Sequence, residues 1–286
     1  MPWVLLGLLT VGTVCGSALG VAQHHANGSA QTQIAQIIAA TQHAGSARFA
    51  YTTVVASSNA LLRSRTSGSG VIDFVHDAMR TTESQRETSS SAVNGRIEPP
   101  TTQTVRTTQI WIHRTEYTQV AFPASLPAVD PRWVKGPTLP AGEVGAAGML
   151  GMLAPLGWLS TAGPGQTDRL ERIGATTVGG HPATKYAVDI SACVRSSKGR
   201  QHDVPLTTVT LWVDGDGRLI DAENSAHFDT PRPAVPAHDG VYGRATVVNT
   251  IRLYDFGLAV KIGVPPVLQG GSGSGFAIAL RAACHA

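Results

Sequence analysis

The chain has 286 residues, 42% of them hydrophobic and 14% charged, with a formal net charge of +3. That length accommodates one large domain or two small ones, and the composition is that of a globular protein rich in turns. Lys and Arg are scattered without a basic run, which gives no support to nucleic-acid binding.

Pro2 to Ala22 reads PWVLLGLLTVGTVCGSALGVA and holds no charged residue. About 20 apolar residues span a bilayer, and polar QHHANGSAQTQ follows at once. Residues 1–25 therefore read as an export signal or an uncleaved membrane anchor. The rest of the chain is expected outside the cytoplasm, secreted or anchored in the cell envelope. Ala18-Leu19-Gly20 and Gly20-Val21-Ala22 suit a signal peptidase. Val14, before Cys15, is bulkier than the residue that precedes a lipidated cysteine. In an oxidising compartment, Cys193 and Cys284 are the two cysteines left to pair. A bridge closing about 90 residues contributes roughly 4–5 kcal/mol in the chain-entropy view; two free thiols are the alternative.

SAQTQIAQIIAATQHAG places Ile34, Ile37 and Ile38 at helical spacing, with Ser29 as N-cap and Gly45 as stop, and predicts a helix over about 30–43. The period then changes to two. ARFAYTTVVAS alternates Phe49, Tyr51, Thr53 and Val55 against small or polar residues. VIDFVHDAM sets Ile72 and Phe74 against Asp73, and QIWIHRTEYT puts Ile110 and Ile112 on one face before a turn near Arg114-Thr115 and Tyr117. A Pro-rich stretch opens onto AGEVGAAGMLGMLAPLGWLS, whose Met149, Leu150, Leu153, Leu156 and Leu159 mark an apolar helical segment. After a Gly-Gly turn, Tyr186, Val188 and Ile190 share a face. Val209, Leu211 and Val213 alternate up to Asp214-Gly215-Asp216-Gly217, a strong hairpin signal. RATVVNTIRLYDFGLAV is the last long strand, followed by the linker LQGGSGSG and a short tail. Strands joined by short turns rather than helical crossovers imply an α+β fold. The expectation is one strongly curved antiparallel sheet of about 11 strands, a half-barrel with helices closing one face. Residues 26–268 form its single domain, and 269–286 a flexible Gly/Ser linker and tail.

Motifs for chemistry fail one by one. Asp255-Phe256-Gly257 matches a kinase metal-binding triplet, but the chain has no His-Arg-Asp loop and too little sequence beyond it. Asp214, Asp216, Arg218 and Ser225 would be the ligands of a calcium loop, and an arginine and a serine at two of those places exclude one. The ten histidines show no metal-ligand spacing; His227 with His238 is the one pair to test. No nucleophile elbow appears, and Asp and Glu sit mostly at turns. No catalytic residue, metal or cofactor is expected, and the protein is not expected to be an enzyme.

Three runs in order, RIGATTVGGHPATKYAVDI, TLWVDGDGRLIDAE and LYDFGLAVKIGVPP, together with the early strand GSGVIDF, resemble the LolA-like fold group. The likeness is greatest to the LppX/LprG-type actinobacterial envelope lipoproteins and covers about residues 30 to 266. It implies an eleven-strand half-barrel, helices over its mouth and an interior that holds lipid or acyl chains. Cys15 departs from the lipobox of that family, and the Pro-rich loop 229–241 and the tail are additions. The inward-facing candidates for a cavity lining are Phe49, Tyr51, Ile72, Phe74, Ile110, Ile112, Tyr186, Val188, Leu211 and Val213. On this reading the protein binds a lipid or other hydrophobic ligand, as carrier or sensor, and meets the membrane through its N-terminal segment. The alternative is an envelope module with a packed, ligand-free barrel and a protein partner.

Overall fold

The computed structural model describes residues 28–57, 62–90, 92–93, 96–97, 99–121, 133–138, 167–195, 201–230 and 243–268. It opens with helix α1 (Gly28–His43). Eight strands follow: β1 (Ser46–Ser57), β2 (Leu62–Asp73), β3 (Ala78–Ser89), β4 (Ala92–Val93), β5 (Arg96–Ile97), β6 (Thr101–Ile112), β7 (Thr115–Ala121) and β8 (Trp133–Thr138). The second half holds β9 (Thr167–Val178), β10 (His181–Arg195), β11 (Gln201–Val213), β12 (Leu219–Thr230), β13 (Gly243–Tyr254) and β14 (Val267–Leu268). Strands β4 and β5 pair only with each other; the other twelve form one sheet in the order β14-β8-β7-β6-β3-β2-β1-β13-β12-β11-β10-β9. Every pairing is antiparallel except the two-residue contact of β14 with β8. The sheet is not closed among the described residues, and the fold is the open antiparallel half-barrel expected from the sequence.

The topology is two meanders joined through β1, which pairs with β2 on one side and with β13 on the other. One core cluster runs from Met79 on β3, with Trp111 of β6 packed on it, to Val188 on β10 and Leu170 on β9. Laid flat at ~4.8 Å per strand, β6 and β9 would stand about 38 Å apart, while a 16-residue helix is only about 24 Å long. Twist and curling bring both sides toward α1.

The helix forms where the isoleucine spacing places it, starting at Gly28 rather than after a Ser29 cap. Ile34 is buried, and Ile37 and Ile38 pack against the sheet cluster. Gly45 ends the helix at φ +79, the left-handed conformation that glycine adopts without penalty, and its N–H reaches the Gln42 carbonyl at 2.9 Å. Thr41 fixes this end to the sheet. It is fully buried, donates to the Ile37 carbonyl at 2.7 Å and accepts the Leu219 N–H at 2.9 Å.

Turns follow local chemistry. Asp73 accepts the N–H groups of Val75 and His76 at 3.1 and 3.0 Å, folding the loop from β2 to β3. His113 and Arg114 both have positive φ, +46 and +68, which a two-residue hairpin loop with both central residues left-handed requires. Asp214 accepts from the N–H groups of Asp216 and Arg218. The Arg218 guanidinium lies 2.8 Å from Asp214 and 2.7 Å from Asp216. The positive charge that a calcium loop would need is thus supplied by the arginine. Asp255-Phe256-Gly257 ends β13: Asp255 has φ +49, Phe256 packs on the core with Arg218 4.7 Å above its ring, and the Gly257 N–H reaches Ser46 O at 3.0 Å.

The segment 1–25, the apolar run at 149–159, His238, Cys284 and the tail lie outside the described residues. So does the side chain of Cys193, and with it the Cys193–Cys284 pairing. No helix among the described residues is long and apolar enough to cross a membrane.

Thr41→Val should destabilise the protein by about 1–3 kcal/mol, because it leaves the buried Leu219 N–H without an acceptor. Thr41→Ser keeps the hydroxyl and should cost much less; urea melts of the two variants side by side check this.

Candidate functional site

Residues paired across an antiparallel ladder point to the same face, so the register sorts every side chain. One inner-face rung reads Trp111, Met79, Ile72, Ala47. A second runs Gln109, Thr81, Gly70, Phe49, Leu253. A third reads Thr107, Glu83, Gly68, Tyr51, Ile251, Ala222, Leu211, Tyr186. The fourth reads Gln85, Thr66, Thr53, Asn249, Asn224, Val209, Val188.

Seven of the ten sequence-predicted positions face inward on strands or their ends: Phe49, Tyr51, Ile72, Tyr186, Val188, Leu211 and Val213. Phe74 lies in the turn after β2 and still enters the core cluster. Ile110 and Ile112 do not share that face. Their neighbour Trp111 pairs with Met79 and points inward, so Ile110 pairs with Arg80 and Tyr117 on the outer face. The period-two pattern of QIWIH is equally regular for either assignment, and only the register decides it. Trp111 is one of the inner-face residues that the sequence reading missed, with Met79, Leu170, Ile251 and Leu253.

The predicted residues also divide by depth. Phe49 and Ile72 are 0% exposed, and Val188, Leu211, Val213 and Phe74 are buried as well; they form the floor. Tyr51 and Tyr186 are half-buried, and with Ile37, Ile38, Trp111 and Leu170 they pack against that floor with part of their surface uncovered. Phe49 and Tyr51 stack with centroids 6.3 Å apart and lie over Gly70 and Gly68. A Cβ on Gly70 would meet the Phe49 ring at 2.6 Å, and one on Gly68 would meet the Tyr51 hydroxyl at 2.7 Å. Glycine is required there because the Tyr51 ring at Gly68, and the Arg80 carbonyl with the Phe49 ring at Gly70, occupy the space of a side chain.

Beyond the Trp111–Met79–Ile72 rung, the β2–β3–β6–β7 side of the inner face is mostly polar. The Tyr51 hydroxyl donates to a Glu83 carboxylate oxygen. Glu116 accepts from Gln109 Nε2 at 3.3 Å and from Thr118 Oγ1 at 2.6 Å. Burial raises the Glu83 pKa above the ordinary carboxylate range; the Glu116 charge adds to the rise and the Tyr51 hydrogen bond opposes it. Burial likewise raises the Tyr51 phenol, with the Glu83 charge next. Sequence reading found no carboxylate pair, because Glu83 and Glu116 interact only once β3, β6 and β7 are in register. Among the described residues no three His, Cys, Asp or Glu side chains gather as a metal site would require. His227 bonds Thr246 at 3.1 Å instead.

On the other side, Thr53 Oγ1 donates to Asn249 Oδ1 at 2.8 Å, and Asn249 Nδ2 donates to Asn224 Oδ1 at 3.0 Å. The chain of bonds stops there. Asn224 is 1% exposed, and its Nδ2 has no partner among the described residues. A buried donor left open carries a full desolvation penalty.

Together these features define an open half-barrel with one helix packed on it and an inner face split into an apolar and a polar half. No protein-family model and no curated protein matches the sequence. Solved structures similar to the chain include LprF from Mycobacterium bovis, at 15% identity over 82% of this chain and 96% of that one, with a TM-score of 0.37. The Mycobacterium tuberculosis lipoprotein LppX is 12% identical over 82% and 97%, TM-score 0.33. A putative outer membrane lipoprotein-sorting protein domain from Vibrio parahaemolyticus is 9% identical over 79% and 92%, TM-score 0.23. At these identities the likeness is one of fold alone.

Because the folded-state pKa of Glu83 is raised, its protonated form is the one the fold favours. Its contribution is full below the ordinary value of 4.5 and is lost as pH rises through the higher folded value. Glu83→Gln keeps an acceptor for Tyr51 and cannot ionise. Its stability relative to the parent should therefore grow with pH from 4.5 upward, measured by denaturant melts from pH 4 to 8. A gap that is constant across that range contradicts the assignment.

Proposed function

We propose that this is a non-catalytic exported protein that binds a lipid or other hydrophobic ligand on the inner face of the half-barrel, as carrier or sensor in the cell envelope. Residues 26–268 act as its one folded domain, delivered by the N-terminal signal or held by it at the membrane. The observation that carries the reading is the band of half-buried apolar side chains between α1 and the sheet: Ile37, Ile38, Tyr51, Trp111, Leu170 and Tyr186. Covering such surface stabilises a complex by about 25 cal/mol per Å² without any fixed polar group. The polar flank at Glu83, Gln109 and Glu116 adds hydrogen-bonding positions beside that apolar band, as suits an amphiphile with a polar head.

The competing reading is a packed module with a protein partner. The complete burial of Phe49 and Ile72 by the protein's own atoms speaks for it. Organic extraction of the purified protein followed by mass spectrometry separates the two: a co-purified amphiphile in near-stoichiometric amount supports the carrier, and repeated absence supports the packed module. A fluorescent fatty-acid analogue should also bind, and Leu170→Asp or Tyr186→Asp should weaken it about ten-fold or more, since each removes roughly 1.5–3 kcal/mol of apolar burial. Unchanged affinity in both variants moves the ligand off this face.

A further inference from the structure

The outer face of β2, β3 and β6 carries a charge pattern that ligand binding inside does not use. Arg63 and Arg65 of β2, Arg80 and Arg86 of β3, and Arg106 of β6 all point outward, and all five are exposed. Among the described residues none of them has an ion-pair partner. Arg65 and Arg86 stand directly opposite each other in the ladder, an arrangement that disfavours folding through like-charge repulsion. Acids are segregated to the other side of the same strands. Glu83 and Glu87 of β3 and Glu116 of β7 face inward, and the outer face of these strands has one acid, Asp73, tied into its turn by His76 at 2.8 Å.

At about 5 Å between strands and 7 Å between rungs, Arg63, Arg65, Arg86 and Arg106 span roughly 17 Å. Their neighbours on the outer face are mostly small hydroxyl residues, Ser67, Ser84, Thr88 and Thr104, with Val54 opposite Arg65, Ala56 opposite Arg63 and Ala121 opposite Arg106. Tight protein interfaces centre on exposed aromatic or aliphatic anchors; here the one sizeable apolar side chain beside the arginines is Val54, opposite Arg65 and half-buried. Guanidinium forks and hydroxyls are instead the donors that grip phosphate oxygens. The apolar, bilayer-length segment Pro2–Ala22 in the same chain selects which phosphate-bearing surface is at hand. We propose that this arginine face docks on the anionic phospholipid headgroups of a membrane, setting the orientation of the half-barrel on the bilayer. The proposal stands apart from the interior ligand, and either can fail alone.

Partition of the full chain into phosphatidylcholine vesicles, compared with vesicles containing about one-third phosphatidylglycerol, tests it. The apolar N-terminal segment contributes to both, so the ratio reads charge. The anionic vesicles should be preferred by well over ten-fold at low salt, with the preference shrinking as salt rises. Arg65→Gln/Arg86→Gln/Arg106→Gln should lower it by about five-fold per arginine. The charge-matched control Arg48→Gln/Arg252→Gln/Lys261→Gln should keep most of it; Arg48 and Arg252 already face Asp255 and Asp221. Equal partition into both vesicles overturns the proposal, as does equal loss in the two triple variants. Tighter binding to duplex DNA than to anionic vesicles at equal phosphate concentration overturns it too.

Discussion

The junction between β1 and β13 governs the rest of the structure. Ten consecutive residues, Arg48 to Ser57, pair with Tyr254 to Ala245, joining segments about two hundred residues apart in sequence. The two meanders on either side are built from short-range hairpins, but neither can curl around α1 until this pairing is made. Closing so long a loop costs entropy that local contacts do not repay. The repayment is concentrated in a few contacts at the junction. Phe49 meets Leu253, Tyr51 meets Ile251, and both rings extend the other way across the bare backbone of Gly70 and Gly68.

The same junction is a chemical boundary. On the β13 side, the inner rungs continue as Ile251, Ala222 and Leu211; on the β2 side, they continue into Glu83, Thr107 and Gln109. Tyr51 stands at the boundary and faces both ways, its ring on Phe49 and its hydroxyl on Glu83. An amphiphile laid across the inner face would therefore have an apolar flank and a hydrogen-bonding flank. The outer face repeats the division in charge, with arginines behind the glutamates. Alternation along each strand places opposite charges on opposite sides of one sheet, and the backbone keeps them from neutralising each other as ion pairs.

Turns close the ends of this sheet by chemistry that stays within a few residues. Asp73 and Asp214 each gather two following N–H groups, and Gly45 and Gly257 take left-handed conformations beside the buried Ser46. At one end these local devices meet: the Phe74 N–H bonds the Gly45 carbonyl just beyond α1, Arg218 lies over the Phe256 ring, and Thr41 links the helix to Leu219. The Thr41 link holds the helix there at its C-terminus, which helps to set its isoleucine face over the sheet.

What the sequence determined by itself was whatever depends on neighbours in the chain. The isoleucine spacing produced α1, Asp-Gly-Asp-Gly and Gly-Gly produced hairpins, and alternation in ARFAYTTVVAS and TKYAVDI placed Phe49 and Val188 on buried faces. Those are short-range consequences of helix and strand periods. Tertiary structure alone decided which of two equally regular faces of QIWIH turns inward, so Trp111 packs on the inner cluster, while Ile110, buried beside Tyr117, and Ile112 lie on the other face. It alone brought Glu83 to Glu116, Asn249 to Asn224 and Arg65 to Arg86, because each meeting depends on the register between strands. A shift of one residue there reverses every side chain, and no single segment carries the energy that fixes it.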